Sequence, residues 1–235
     1  MNQNIICYVL GRLVLAEAVI LGIPFFMALY GWEKSAPAFA LSICICVLIG
    51  LALRVHGRSG NEHLTMREGA AITGLGWLLA TFLGMLPYLL SGSLGFLDGL
   101  FESISGFTGT GATVMTSIES QPFSILFWRM MTHWFGGLGI IVIFIALLPQ
   151  AGQSTVYMYN AETTGPTRDR VLPRLREMTR SLFLMYMVFT MTACVVYLCC
   201  GLSFLDAIAH AMSTLGTGGF SLYDDNAMHF DNPAL

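Results

Sequence analysis

Long apolar stretches alternate with short polar ones along most of this chain. Five of them, residues 5–30, 36–53, 68–90, 122–148 and 181–202, carry few charges. Crossing a hydrocarbon core about 30 Å thick takes about 20 residues of helix, so each predicts a membrane-spanning helix. The first is too long for the core of a signal peptide, and a second span follows it closely. It contains Arg12 and Glu17, charges that are costly in lipid and that face protein or snorkel to the interface.

Two intervening segments fit neither a span nor a solvated loop. Between the third and fourth spans, Phe96, Leu97, Leu100, Phe101, Ile104 and Phe107 recur at helical spacing within a Gly- and Thr-rich stretch. The pattern predicts a short re-entrant helix followed by an extended Gly/Thr strand, and irregular backbone at membrane depth must be packed in protein or line a watery path. The same pattern returns after the fifth span. Phe96-Leu97-Asp98 matches Phe204-Leu205-Asp206 at an offset of 108, which also sets Ser105 on Ser213 and Gly111 on Gly219. This is an internal repeat of span, short helix and Gly/Thr strand.

Composition sharpens this picture. Of the 235 residues, 55% are hydrophobic and 11% charged, less than half the charge usual in a soluble domain. With a net charge of −3 there is no basic excess for nucleic acid. Eight of the 11 Lys and Arg fall in two connections, Arg54, Arg58 and Arg67 after the second span and Arg168, Arg170, Arg174, Arg176 and Arg180 after the fourth. The positive-inside rule makes both connections cytoplasmic, and the N-terminus with them. Residues 31–35, 91–121 and 203–235 then lie outside. The six cysteines sit in apolar stretches without zinc-ligand spacing and read as small packing residues. The chain divides into an N-terminal helix pair (1–60), a first span–pore–span repeat (61–152), a basic cytoplasmic connection (153–180) and an incomplete second repeat (181–235).

The repeat carries the chemistry. Asp98 and Asp206 are suited to capping the short helices, because a carboxylate takes free N–H groups. A short helix aimed inward brings its partly negative C-terminus towards the membrane centre. A strand of Gly and Thr can then turn its carbonyls to one axis, where rings of carbonyls replace the hydration shell of a potassium ion. The candidate residues are Thr108, Gly109, Thr110 and Gly111 in the first strand, and Gly216, Thr217, Gly218 and Gly219 in the second. Gly219 pairs with Gly111 if the aspartates are aligned, and Gly218 does so if the GTG strings are.

At residues 101–114, 134–142, 161–170 and 204–221 the chain resembles the Trk/Ktr/HKT superfamily of potassium transporters, and within it the bacterial TrkH/TrkG type. The resemblance implies an all-α integral membrane fold of potassium-channel-like span–pore-helix–span repeats behind a two-helix N-terminal pair. It also implies one filter glycine per repeat, here Gly111 and Gly219, and potassium uptake through a carbonyl-lined filter in a Trk system of the bacterial inner membrane. No enzymatic chemistry and no cofactor beside the transported ion are implied. Family members surround the pore with four repeats, so this chain reads as an N-terminal half, ending after the second pore segment. The partners implied are membrane lipid, a second copy in the full-length protein, and a cytosolic nucleotide-binding regulator of the TrkA type. The first strand departs from the family at Gly109, where a Thr is usual, which leaves sodium permeation as an alternative. A non-conducting fragment or interaction subunit is another.

Other residues have plainer readings beside functional ones. Glu102, which aligns with His210, is either a charge near the path or a side chain tied to backbone behind the filter. Arg129 snorkels or pairs at an interface, with ion gating as its functional alternative. His133 stands apart from any metal-binding motif, and His56 and His63 belong to a cytoplasmic loop. Gly136, Gly137 and Gly139 permit close helix approach. The arginines of 168–180 set topology and meet lipid headgroups, or dock the regulator. Asp224, Asp225 and Asp231 gather cations at the mouth, or form a solvated tail.

Overall fold

The computed structural model describes residues 2–57, 66–151 and 171–230. The architecture is all-helical among the described residues. In chain order the helices are α1 (Gln3–Tyr30), α2 (Ala36–His56), α3 (Met66–Gly84), α4 (Leu86–Leu90), α5 (Phe96–Thr108), α6 (Phe123–Ala151), α7 (Val171–Cys199) and α8 (Phe204–Leu215), with a 3₁₀ turn at Asn226–His229. Among the described residues, four stretches, Gln3–Tyr30, Ala36–His56, Arg67–Leu90 and Arg180–Cys199, are long and apolar enough to cross a membrane. α6 matches α7 in length at 29 residues, although its side chains from 140 onward lie outside the described set. So do His63, Arg58, Asp231 and most of the basic connection, including Arg168 and Arg170.

Burial follows the logic of a lipid solvent. Large apolar side chains such as Val19, Phe26, Leu48, Val188 and Phe189 are exposed on α1, α2 and α7, while Glu102, Arg129, His133, Ser103 and Thr132 are essentially inaccessible. Polar groups hidden this way must find partners, since lipid supplies none.

α1 and α2 form a tight pair joined by a short turn. A side chain at Gly11 would place its Cβ 2.7 Å from the Gly50 carbonyl, so the two backbones touch there. The pair is anchored at both ends. At one end the Asn2 N–H donates to the Glu68 carboxylate of α3 at 2.7 Å. At the other, Glu33 in the turn accepts from the Ser124 N–H at 3.2 Å and from its hydroxyl at 2.5 Å. Ser124 lies in the first turn of α6, where a carboxylate meets free N–H groups and the positive end of the helix dipole.

The third span is broken. α3 stops at Gly84, and Pro87 in the first turn of α4 has no N–H to continue the ladder. The Gly84 carbonyl accepts instead from the indole N–H of Trp128 on α6, at 2.9 Å. This joint fixes α6 against α3, so that α5 and α8 both pack on α6.

Candidate pore segments

Each short helix leads into irregular backbone, and the two segments share one internal frame. The hydroxyl of Ser105 donates to the Ala112 carbonyl at 2.6 Å, and that of Ser213 to the Phe220 carbonyl at 2.7 Å. The Thr110 N–H returns to the Ser105 carbonyl at 3.0 Å, and the Gly218 N–H to that of Ser213 at 3.3 Å. The hydroxyls of Thr113 and Ser221 each accept a backbone N–H two residues on, from Met115 and Tyr223. Glu102 accepts from the Thr113 hydroxyl at 3.0 Å, and His210 meets the Ser221 hydroxyl at 3.4 Å. Every one of these pairs is related by the offset of 108.

The backbone repeats too. φ is positive at Gly109 (68°) and Gly111 (74°), and again at Thr217 (55°) and Gly219 (78°), while Thr110 and Gly218 between them stay negative. A β-strand keeps φ negative throughout, so the expected extended strands are corrected. Alternating hands turn successive N–H groups to one side and leave carbonyls on the other. Here the N–H groups of Gly109 and Thr110, like those of Thr217 and Gly218, face back into their own helix ends. The φ values also match Gly111 with Gly219, not with Gly218. Thr108 is the last residue of α5 rather than part of a strand, and Gly216 is the C-cap of α8.

The capping expectation is corrected as well. The N-cap of α5 is Gly95, with no side-chain hydrogen bond, and Asp98 stands in the first turn. In α8 the cap is Ser203, whose hydroxyl accepts the Asp206 N–H at 3.2 Å. Asp206 supports this cap by accepting the Ser203 hydroxyl at 2.6 Å. A hydroxyl one turn before the acid reaches those N–H groups with less strain than a side chain inside the turn.

The segments lie side by side. A Cβ on Gly111 would clash with the Gly218 carbonyl, and one on Gly109 would meet the Gly216 carbonyl at 3.0 Å. Thr108, Thr110, Thr217 and Gly219 are exposed, and the Thr108 and Thr110 hydroxyls bond each other at 2.8 Å. Beyond both segments Asp224 accepts the Ile118 N–H at 2.6 Å and gives its own N–H to Glu119 at 3.3 Å. Asp224 is therefore a clasp between the segments rather than part of a free tail.

Behind them stands Arg129, 1% exposed. Its Nε donates to the Glu102 carboxylate at 2.5 Å, and Nη1 donates to the Ser221 carbonyl at 2.9 Å. The guanidinium carbon lies 3.5 Å from the centre of the Phe220 ring, a cation–π contact. His133, one turn along α6, stacks on the same ring at 3.9 Å and meets the Ser213 hydroxyl at 3.2 Å. Snorkelling is thus replaced by full burial, and Glu102 is tied behind the segment, its Oε2 also accepting the Val114 N–H at 3.1 Å. The bridging roles of Arg129 and His133 were not evident from sequence, where pairings across 27 and 80 positions leave no local signal. The hydroxyls were findable, because Thr113 and Ser221 align at the repeat offset.

The TrkH family model, described as a cation transport protein, matches residues 35–235. The Trk system potassium uptake protein TrkH of Escherichia coli (strain K12) is 36% identical over 238 residues, covering 100% of this chain and 49% of that protein. TrkH of Halomonas elongata is 34% identical over the same shares, and TrkG of Escherichia coli is 32% identical over 98% of this chain and 48% of its own length. The crystal structure of the potassium transporter TrkH from Vibrio parahaemolyticus matches all of this chain and 47% of that one, with a TM-score of 0.83 at 31% identity. The chain spans about half the length of the curated relatives it matches.

Proposed function

The chain belongs to the TrkH family of cation transport proteins, and from that premise we propose that its two pore segments form two walls of a potassium-conducting filter in a Trk-type uptake system. The reading rests on one observation above all, the repeated alternation of φ at Gly109–Gly111 and Thr217–Gly219. Carbonyls freed from their own helices and turned to one side can replace the water around a dehydrating cation. The hydrogen bonds of Ser105, Ser213, Glu102 and Arg129 hold that backbone from behind. Selectivity then depends on the number and field of the carbonyls, and no covalent step is involved. The protein resides in the bacterial inner membrane with its N-terminus in the cytoplasm, and works as a dimer of full-length chains. A nucleotide-binding regulator docks on the arginines of residues 168–180.

The test is a chimera in which these 235 residues replace the matching half of the Escherichia coli TrkH relative. Rubidium uptake is measured in potassium-starved cells that lack their own uptake systems. Uptake that potassium suppresses better than sodium is expected. A chimera that reaches the membrane without transporting sinks the reading, and equal competition by sodium moves it to the sodium-permeable alternative that Gly109 raises.

A further inference from the structure

Halfway along α1 a carboxyl group is buried with one oxygen left without a partner. Glu17 is 7% exposed, and its Oε1 has no hydrogen-bond partner among the described residues. At 1.5 Å per residue it lies about 20 Å from either end of the helix. The cations on the surrounding elements are remote or committed. Arg12, five positions earlier, is exposed on another side of α1, and Arg54 of α2, beside Gly11, is exposed as well. Arg67 stands at the start of α3, Arg129 is paired with Glu102, and the α2 group near Glu17 is the Cys46 thiol. A carboxyl group at such depth without water or a counter-charge is costly.

Glu17 borders a cavity of about 120 Å³ between α1, α3, α5 and α6. The remaining wall is apolar, including Leu13, Trp77, Ala80, Phe107 and Trp128. An enclosed apolar cavity of about 150 Å³ accommodates a benzene ring. This one is somewhat smaller but opens on one side, which leaves room for a ring carrying a short arm. We infer that this cavity is a binding site for a small lipid-soluble amine, with its ring or six-carbon body among the aromatic walls and its ammonium donating to Glu17. The fold has already desolvated the carboxyl group, so the amine supplies the missing donor and counter-charge while its body fills space that water does not favour. Phe107 immediately precedes Thr108–Gly111, so a bound amine stands directly behind the first pore segment. The inference does not depend on which ion that segment conducts.

The experiment compares 4-fluorobenzylamine with 4-fluorotoluene, its nearly isosteric neutral counterpart. Both are titrated into the full chain in detergent micelles and followed by the fluorine resonance of the bound molecule. Saturable binding of the amine at least tenfold tighter than that of the toluene is expected. In Glu17→Gln the advantage should vanish while the toluene still binds, which also reports that the cavity has survived. Equal affinities in the unaltered chain, no saturable binding of either molecule, or an advantage that persists in Glu17→Gln would each overturn the site. Gly76→Val, which adds bulk to the cavity wall, should weaken both molecules together. Unchanged amine binding there places the amine elsewhere and overturns it as well.

Discussion

The first pore segment carries a carboxylate where the second carries an imidazole. Glu102 and His210 occupy equivalent places in one hydrogen-bond frame, each reaching a hydroxyl eleven residues on, Thr113 or Ser221. The first position is paired with the buried guanidinium of Arg129. The second holds itself locally, its Nδ1 lying 2.9 Å from the Asp206 carbonyl within its own helix. The equivalent position is thus filled once by a carboxylate and once by an imidazole, while Arg129, paired with the first, also reaches the second segment through the Ser221 carbonyl. What the two share is the set of backbone-directed hydroxyls, and those define the segment; the residue behind it is free to differ.

Sharp differences should follow when that comparison is attacked. The largest is at the paired glycines. Gly111→Ala combines a positive φ with a Cβ that clashes with the Gly218 carbonyl, whereas Gly219→Ala meets nothing within 4 Å. Uptake by the chimera should be abolished by the first. The second should cost the chain only backbone strain, about 1–2 kcal/mol by thermal unfolding in detergent. Equal unfolding losses at both positions would mean the segments do not touch. Gly111→Ser should lower potassium-over-sodium preference in any residual uptake, and an unchanged preference removes Gly111 from the filter.

The next largest contrast lies behind the segments. Glu102→Gln strands a buried guanidinium and should cost about 3–5 kcal/mol, while His210→Gln exchanges one neutral partner for another and should cost about 1 kcal/mol. Thermal unfolding of the two variants side by side decides it, and a reversed order contradicts the pairing of the buried guanidinium with Glu102. Ser105→Ala should then cost about 1–2 kcal/mol through the carbonyl it leaves unpaired, and Ser213→Ala somewhat more, because its hydroxyl also meets the buried His133. A smaller loss at Ser213 would show that the shared frame is not shared in energy. The smallest effect belongs to the helix starts. Ser203→Ala removes a working cap and should lower stability by about 1 kcal/mol. Asp98→Asn acts only through the helix dipole and should cost roughly a few tenths.

Much of this was legible in the chain because a membrane leaves few choices. Spans must be long and apolar, and two Gly/Thr segments that matched neither span nor loop had to be something else. The offset of 108 held because the residues that repeat, Ser105 with Ser213 and Thr113 with Ser221, bond to backbone at both sites. Three features escaped for physical reasons. Thr217 takes a left-handed conformation without being glycine, so composition could not announce it. Ser203 caps α8 from three residues before the acid that drew attention, a spacing that a capping-box reading would have caught. Arg129 reads as an interface charge by hydropathy, and only the fold reveals the carboxylate 27 positions away that lets it stay buried.

That arginine also sets a clock for assembly. Its bond to Glu102 can close as soon as the first repeat has been made, but the Ser221 carbonyl emerges 92 residues later. At about 5–20 residues per second of synthesis, the guanidinium waits roughly five to twenty seconds for its second partner. During that interval the newborn first pore segment is latched on one side only, and its completion is timed by the ribosome.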